Sequence, residues 1–303
     1  MQTTATITVT AMIITKNIEK IDSRCGDCFL KTYQKLFVKF HISRKQQQGF
    51  FKYLEDLLVS DKFSSSPEIQ RKLAIKFSHI SGITDSFVIE KQVSNRLASQ
   101  LYIDWKPNVE KSRHPFELAL KLSIAANIMD YGANSTFNVH KTIHEVLTTD
   151  FAIDHSNELK QQISRAKSIL YLGDNAGEIV FDKLFIETIR HPNLTFVVRG
   201  GAALNDATLK DVEEIKMTEV TKKVITNGFD APSTVLKNCS AEFIEAYTSA
   251  DVIIAKGQGN LEGLINEQDP RIFFILMAKC DVMAELIKVK KGSFVVLNLT
   301  KEV

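Results

Sequence analysis

Two adjacent polar residues stand where an open α/β sheet places its chemistry. Asp174 and Asn175 follow the apolar run 168–172, which has the composition of a buried parallel strand, and a helical pattern begins at Glu178. In such sheets, ligands bind just beyond the carboxyl ends of the strands. A carboxylate, an amide oxygen and a free helix N-terminus would suit a hard cation on one side and a phosphate on the other. The simpler alternative is that Asp174 only caps the helix.

A second acidic residue follows the next predicted strand. Asn205 and Asp206 precede another helical pattern, and the carboxyl ends of parallel strands share one edge of a sheet. Asp174, Asn175 and Asp206 together offer three oxygen ligands to Mg²⁺, Mn²⁺ or a similar ion, with positions left for water and a phosphate. The alternative is that these turns are only connections that contain helix caps.

A glycine-rich segment follows a later strand. Lys256–Asn260 reads KGQGN, and its backbone amides and ammonium group would suit an anion. The GxxxxGK[ST] spacing of a P-loop is missing, and so is GxGxxG after the first strand. A dinucleotide-binding fold in the usual sense is therefore not expected.

The turns need a sheet to position them, and the second half of the chain alternates short apolar runs with helical patterns. The predicted strands are 168–172, 194–200, 223–228, 251–257, 273–278 and 293–299. The predicted helices between them are 178–190, 207–217, 238–248, 261–267 and 279–288. Strands joined by helical crossovers form a parallel sheet with helices on both faces. The prediction is a Rossmann-like α/β domain over residues 166–303.

The first half of the chain is helical in pattern. Apolar residues recur at spacings of three and four, which predicts an α-helical domain over residues 21–165. Residues 1–20 are predicted to be a disordered or strand-like extension. Near the end of one helix, Asn127 and Asp130 share a face. They either cap the helix or bond between domains, or they reach the cleft.

The cysteine pattern leaves several roles open. Cys25 and Cys28 form a CxxC, which is typical of a redox pair or of half a zinc site. Cys239 and Cys280 are distant and unpaired in sequence, so a closed four-thiolate zinc site lacks its second half. The favoured interpretation is a structural pair of thiols, with metal or redox roles as alternatives.

The composition is that of an ordinary water-soluble protein. The chain has 303 residues, 44% of them hydrophobic and 24% charged, and its net charge of +2 gives no reason to expect nucleic acid as a partner. No apolar run approaches the roughly 20 residues needed to span a bilayer. The cytoplasm is the expected location, and the oligomeric state is not predicted.

Several segments, in their order, resemble the metal-dependent damage-control phosphatases, formerly catalogued as domain of unknown function 89. They read YLGDNAGE, NDAT, ITNGFDAP, ADVIIAKGQGNLEGL and FFILMAKC, while CGDC and HPFELALKLSIAANIMDYG resemble a shorter prokaryotic branch that carries a CxxC. The resemblance implies a helical domain packed on a Rossmann-like domain. It also implies hydrolysis of phosphomonoesters of small metabolites, either sugar phosphates or damaged phosphorylated metabolites, with a divalent metal (Mg, Mn, Co or Ni).

The resemblance also implies site residues. The metal ligands would be Asp174, Asn175 and Asp206, and Lys256 would join them as a catalytic residue. The residues expected to bind the substrate or its phosphate are Gly177, Glu178, Asn127, Asp130, Asn205, Gly257, Gly259 and Asn260. The nucleophile is either water, which is slightly favoured, or Asp174.

A rival function is an adenosylmethionine-type methyltransferase or a nucleotide-binding module on a similar scaffold. A nucleoside site would place an acidic residue at the end of the second strand, to hold a ribose. That position is occupied by Arg199 and Gly200, which counts against the rival.

Overall fold

The computed structural model describes residues 21–60, 65–128 and 139–300. The predicted extension at 1–20 and the predicted site residue Asp130 lie outside the described residues. The helices are α1 (Ser23–Lys39), α2 (Arg44–Ser60), α3 (Ser66–Ser81), α4 (Val88–Glu110), α5 (Pro115–Ile128), α6 (Val139–Thr148), α7 (Ser156–Arg165), α8 (Glu178–Ile189), α9 (Leu209–Glu214), α10 (Ala241–Ser249), α11 (Gly257–Leu264) and α12 (Asp281–Leu286). In these ranges, no helix combines the length and apolarity needed to cross a bilayer.

One seven-stranded sheet organises the second half of the chain. Its strands are β1 (Ile153–Asp154), β2 (Ile169–Leu172), β3 (Leu194–Val198), β4 (Lys223–Thr226), β5 (Val252–Lys256), β6 (Ile272–Met277) and β7 (Phe294–Leu297). Their order across the sheet is β1-β7-β6-β5-β2-β3-β4. All six predicted strands are present as β2 to β7, and the mainly parallel sheet confirms the predicted α/β class.

The edge of the sheet formed by β1 and β7 differs from the prediction. Strands β2 to β6 are mutually parallel, but β7 runs antiparallel to β6, and β1 pairs parallel with β7. The predicted parallel sheet is confirmed for β2 to β6, and the antiparallel pairing of β7 was not predicted, because apolar periodicity shows that a strand exists and not which way it runs. Strand β1 lay inside the region predicted to be helical, since two residues are too short to show an alternating pattern.

Both faces of the sheet are covered, as the fully apolar strands require. Along β2, Ile169 and Tyr171 pack into a core that also contains residues of α4 to α8. Leu170 and Leu172 face the opposite core, which is completed by side chains of α10, α11 and α12. Because both faces of the sheet are buried, a ligand can reach the polar side chains that follow the strands only at the end of the sheet where the carboxyl ends of the strands lie.

The helices before the sheet belong to two different hydrophobic cores. A separate aromatic core joins α1, α2 and α3, where the rings of Tyr33 and Phe50 are 4.5 Å apart at their centroids. Helices α4 to α7 instead share a core with the sheet, through residues such as Leu101 and Leu120. The boundary at residue 165 therefore stays a prediction, and the packing places α4 to α7 against the sheet.

Candidate functional site

The loop after β2 and the loop after β3 are joined by backbone hydrogen bonds. The amide of Ala207 donates to the carbonyl of Asp174 at 2.8 Å, and the amide of Ala176 donates to the carbonyl of Asn205 at 2.9 Å. These bonds form an isolated antiparallel bridge between Asn175 and Asp206. The structure thus brings together the three predicted metal ligands, which lie on two loops.

The two aspartates are buried close to each other. Asp174 is 7% exposed and Asp206 is 3% exposed. Burial, together with the negative charges of Asp206 and Glu178, raises the pKa of Asp174 to about 8. Burial also raises the pKa of Asp206. Two carboxylates kept this close and this dry are stabilised by any cation that reaches them.

Arg199 is a site residue that the sequence interpretation missed. It follows β3 and is 2% exposed, and its Nε lies 2.5 Å from Asp206 Oδ2 while its Nη2 lies 3.3 Å from Asp174 Oδ1. Its positive charge lowers the pKa of both aspartates against the effect of burial. The sequence signal was its position at the end of a strand, on the same edge as the aspartates.

Lys279 is a second residue that was missed. It is an exposed lysine just after β6, and its positive charge also lowers the pKa of Asp174 and of Asp206. Its amide donates to Gln258 Oε1 at 3.0 Å, which ties the residue to α11. An exposed ammonium group at this end of the sheet is suited to an anionic substrate.

The oxygen donors fit a hard divalent ion. Within the described ranges, no group of three or more His, Cys, Asp or Glu side chains is arranged to hold a metal, so an ion here needs Asn175 beside Asp174 and Asp206. The Asn175 amide nitrogen lies 2.8 Å from Asp174 Oδ2, and a half-turn of the amide exchanges its nitrogen and oxygen. Neighbouring oxygens in an octahedral shell with ligands at 2.0–2.1 Å are about 2.9 Å apart. The residues present therefore suit Mg²⁺ or a similar ion.

The KGQGN segment is the start of a helix and not a free turn. Lys256 is the N-cap of α11, which begins at Gly257 with φ of 77°. The helix N-terminus abuts the aspartate: a Cβ on Gly257 would lie 1.9 Å from Asp174 Oδ2. A Cβ on Gly259 would lie 2.2 Å from the carbonyl oxygen of Pro232. Both glycines are required by close approach.

Replacing Gly257 by alanine is expected to reduce activity by about 10²-fold, because the new methyl group must displace the Asp174 carboxylate. Gly82→Ala is a matched control: its φ is 74°, and no atom lies within 4 Å of the added Cβ. Both variants carry the same backbone strain, so both should unfold at a lower temperature. Equal activity of the two variants in a phosphatase assay would contradict this role for Gly257.

Lys256 lies in a buried ionic cluster behind the aspartates. Its Nζ donates to Asp182 Oδ1 at 2.6 Å, to Glu178 Oε1 at 2.8 Å and to the carbonyl of Ser123 at 3.1 Å. An ammonium group has three N–H donors, so all of them are used. The Lys256 ammonium group was expected to contact a phosphate, but in the structure it is bonded to protein oxygens. Lys256 instead holds Glu178, whose Oε2 accepts from the Asn175 amide at 3.2 Å.

The Gly177 amide is also engaged. It donates to Asn95 Oδ1 at 2.7 Å, and Asn95 is a 1% exposed residue of α4. Its amide nitrogen in turn donates to Asp211 at 3.0 Å and to Glu214 at 2.9 Å. The Gly177 amide was expected to contact a phosphate, but in the structure it bonds to Asn95, and α4 thereby fixes the loop after β2. Asn95 is one of several buried polar residues of α4, with Lys91 and Ser94.

The other predicted substrate contacts have mixed outcomes. Asn260 accepts from Arg199 Nη1 at 2.8 Å, and its amide donates to the carbonyl of Lys256 at 2.7 Å. Asn205 contributes its backbone carbonyl to the bridge described above. Asn127 is the last residue but one of α5, and its side chain lies outside the described residues, as does all of Asp130. Their roles stay predictions.

All four cysteines are free thiols. Burial is the main cause that raises the pKa of Cys25 to about 11 and raises the pKa of Cys28, which keeps both in the unreactive protonated form. Gln258 donates to Cys280 Sγ at 3.3 Å. A metal or redox role for the CxxC stays a prediction.

Comparison with known proteins identifies the family. A family profile described as the damage-control phosphatase ARMT1-like domain matches residues 21–295. A damage-control phosphatase from Pyrococcus horikoshii is 40% identical over 221 residues, which cover 72% of this chain and 76% of that protein. A damage-control phosphatase from Archaeoglobus fulgidus is 32% identical over 252 residues, with coverage of 78% and 85%.

A solved structure agrees with this assignment. The crystal structure of a DUF89 family protein from Pyrococcus horikoshii matches with a TM-score of 0.82 and 31% identity, over 93% of this chain and 99% of that one. The profile spans both the helical region and the sheet, including both loops that carry the aspartates. The chain belongs to the ARMT1-like damage-control phosphatase family.

Proposed function

We propose that the protein hydrolyses phosphomonoesters of small metabolites, sugar phosphates or damaged phosphorylated metabolites, with a divalent ion held by Asp174, Asn175 and Asp206. Its family is one of phosphatases, and two relatives are named damage-control phosphatases. The observation that carries the proposal is the backbone bridge that brings these three side chains together at the edge of the sheet. The ion is Mg²⁺, Mn²⁺, Co²⁺ or Ni²⁺, all of which accept oxygen ligands.

The ion, when bound, would supply Lewis acidity toward a phosphoryl oxygen and activate a water molecule. The chain's own contribution is to hold and orient. Asp174 and Asp206 are fixed by Arg199, and Asn175 is held beside Asp206 by the backbone bridge between the two loops. The N-terminus of α11, which begins at Gly257, would favour an anion through the helix dipole.

Water is the nucleophile that we favour over Asp174. In the structure, Asp174 Oδ1 accepts from Arg199, and Asp174 Oδ2 lies 2.8 Å from the Asn175 amide nitrogen, where the half-turn of that amide would place both groups beside an ion. A carboxylate that attacked phosphorus would have to give up either its bond to Arg199 or its place as a metal ligand. Lys279, which is exposed, would neutralise part of the phosphate charge as the substrate binds.

The rival methyltransferase or nucleotide-binding reading has no observation in its favour. The position where a ribose-binding carboxylate would stand is Arg199, and its guanidinium is turned into the two aspartates. A small phosphorylated metabolite therefore stays the proposed partner. Location in the cytoplasm stays a prediction.

Removal of the metal is expected to abolish activity. Hydrolysis of p-nitrophenyl phosphate should fall to the background rate after treatment with a chelator, because two buried carboxylates cannot by themselves stabilise a phosphoryl transition state. Adding back Mg²⁺, Mn²⁺, Co²⁺ or Ni²⁺ separately should restore the rate and rank the ions. Full activity after exhaustive chelation would overturn the proposal, and so would transfer of a labelled methyl group in place of phosphate release.

A further inference from the structure

The guanidinium of Arg199 lies against the same two carboxylates that the proposed function assigns to a divalent ion. Its contacts are 2.5 Å to Asp206 Oδ2 and 3.3 Å to Asp174 Oδ1. An arginine side chain stays protonated at every pH at which proteins are folded. A permanent positive charge is therefore part of the site before any ion arrives.

Two residues outside the ligand set keep the guanidinium in place. Its Nη1 donates to Asn260 Oδ1 at 2.8 Å and to Thr234 Oγ1 at 3.2 Å. Asn260 is anchored in turn by its amide, which donates to the carbonyls of Lys256 at 2.7 Å and Gly173 at 3.2 Å. Arg199 is thus tied to the ends of β2 and β5 and is 2% exposed, so it stays in place when the site is used.

This placement has two electrostatic consequences. Without an ion, the guanidinium offsets the repulsion between Asp174 and Asp206 and keeps them converged. With an ion, it reduces the formal charge of the two-carboxylate site from −2 to −1 and repels the incoming cation. A weaker negative field also admits a phosphate dianion more readily.

We propose that Arg199 is a built-in counter-cation: it preorganises the ligands of the metal-free enzyme and limits the affinity of the site for divalent ions. The inference rests on the proposed metal site and adds a residue that sets its affinity. Each carboxylate gives one oxygen to Arg199, so an ion would have to be held by the other oxygen of each. Arg199 is a positioning residue in this scheme, since it acts through the aspartates.

The test measures Mn²⁺ binding by calorimetry on the full chain after removal of metal with a chelator. Arg199→Met should lower the dissociation constant for Mn²⁺ by at least about tenfold, because it removes a unit charge beside the ion. Without metal, the variant should also unfold at a lower temperature than the wild type. Adding Mn²⁺ should raise the unfolding temperature of the variant by more than it raises that of the wild type. Arg199→Lys keeps the charge, so its dissociation constant should stay closer to the wild-type value than that of Arg199→Met.

Arg24→Met is the matched control. Arg24 is 46% exposed and pairs with Asp22 and Glu285, so the same substitution there should leave Mn²⁺ affinity unchanged. Should Arg199→Met unfold without Mn²⁺, Arg199→Gln replaces it, because a glutamine amide is neutral and still able to donate a hydrogen bond. If the neutral variant binds Mn²⁺ as weakly as the wild type or more weakly, this inference is overturned but the proposed metal site is not. Absence of binding to each of Mg²⁺, Mn²⁺, Co²⁺ and Ni²⁺ by the wild type overturns the proposed metal site itself.

Discussion

The Asp206→Asn enzyme is expected to lose phosphatase activity by about 10³-fold or more while remaining folded. That loss should exceed the roughly 10- to 100-fold effect typical of residues that stand behind metal ligands. Asp206 is 3% exposed, so a neutral amide of the same shape fits its place, and Asp174 remains as a carboxylate partner of Arg199. The measurement is kcat on p-nitrophenyl phosphate with saturating Mn²⁺, alongside a thermal unfolding curve.

The same substitution at Asp281 is the control. Asp281 is exposed and pairs with Lys291 at 3.2 Å, so Asp281→Asn should keep full activity. Calorimetry on the Asp206→Asn protein should also show Mn²⁺ binding weakened or lost. An Asp206→Asn enzyme with wild-type turnover would exclude Asp206 as a ligand and leave the chemistry without a site at this edge.

The sheet could be predicted from the sequence because its strands are buried on both faces. β2 is buried at every residue, and such a strand appears as an unbroken apolar run between polar turns. The direction of β7 could not be predicted, because direction depends on how the connection from β6 packs. β1 has two residues and exists only through its pairing with β7.

The site was predicted in part, and the difference lies in long-range contacts. Asp174, Asn175 and Asp206 could be found because each follows a strand, and strand ends meet at one edge. The partners of Lys256 could not be found, since Glu178 and Asp182 lie 78 and 74 residues away along the chain. A lysine beside glycines indicates an anion site equally well whether the anion is a phosphate or a buried carboxylate.

The environment of Lys256 makes it the residue with the largest expected effect on stability. Lys256 and Asp182 are both 0% exposed, and Glu178 is 1% exposed. Asp182 Oδ1 accepts from Lys256 and from Tyr171, while its Oδ2 is buried with no hydrogen-bond partner in the described ranges. The cluster therefore depends on one ammonium group to compensate two buried carboxylates.

Lys256→Met is accordingly expected to lower the free energy of unfolding by about 3–5 kcal/mol, the usual effect of leaving a buried charge without its partner. The measurement is denaturant unfolding at pH 7, with Lys237→Met as control, since Lys237 is 62% exposed. Adding Asp182→Asn to Lys256→Met should recover part of the loss, because one of the uncompensated carboxylates is then removed. Full wild-type stability of Lys256→Met would contradict the proposed ionic cluster.

The pH dependence gives an independent check on the same variant. Burial raises the pKa of Asp182 to about 6 in the folded protein, from an ordinary value of 3.8. When a carboxyl group binds its proton more tightly in the folded protein, the free energy of unfolding falls as the pH rises above the pKa of that group in the unfolded chain. Removing Lys256 raises the pKa of Asp182 in the folded protein further, so in the variant the free energy of unfolding continues to fall up to a higher pH. The stability gap between Lys256→Met and the wild type should therefore narrow as the pH is lowered from 7 to 5, and a gap independent of pH would show that the missing charge is not its cause.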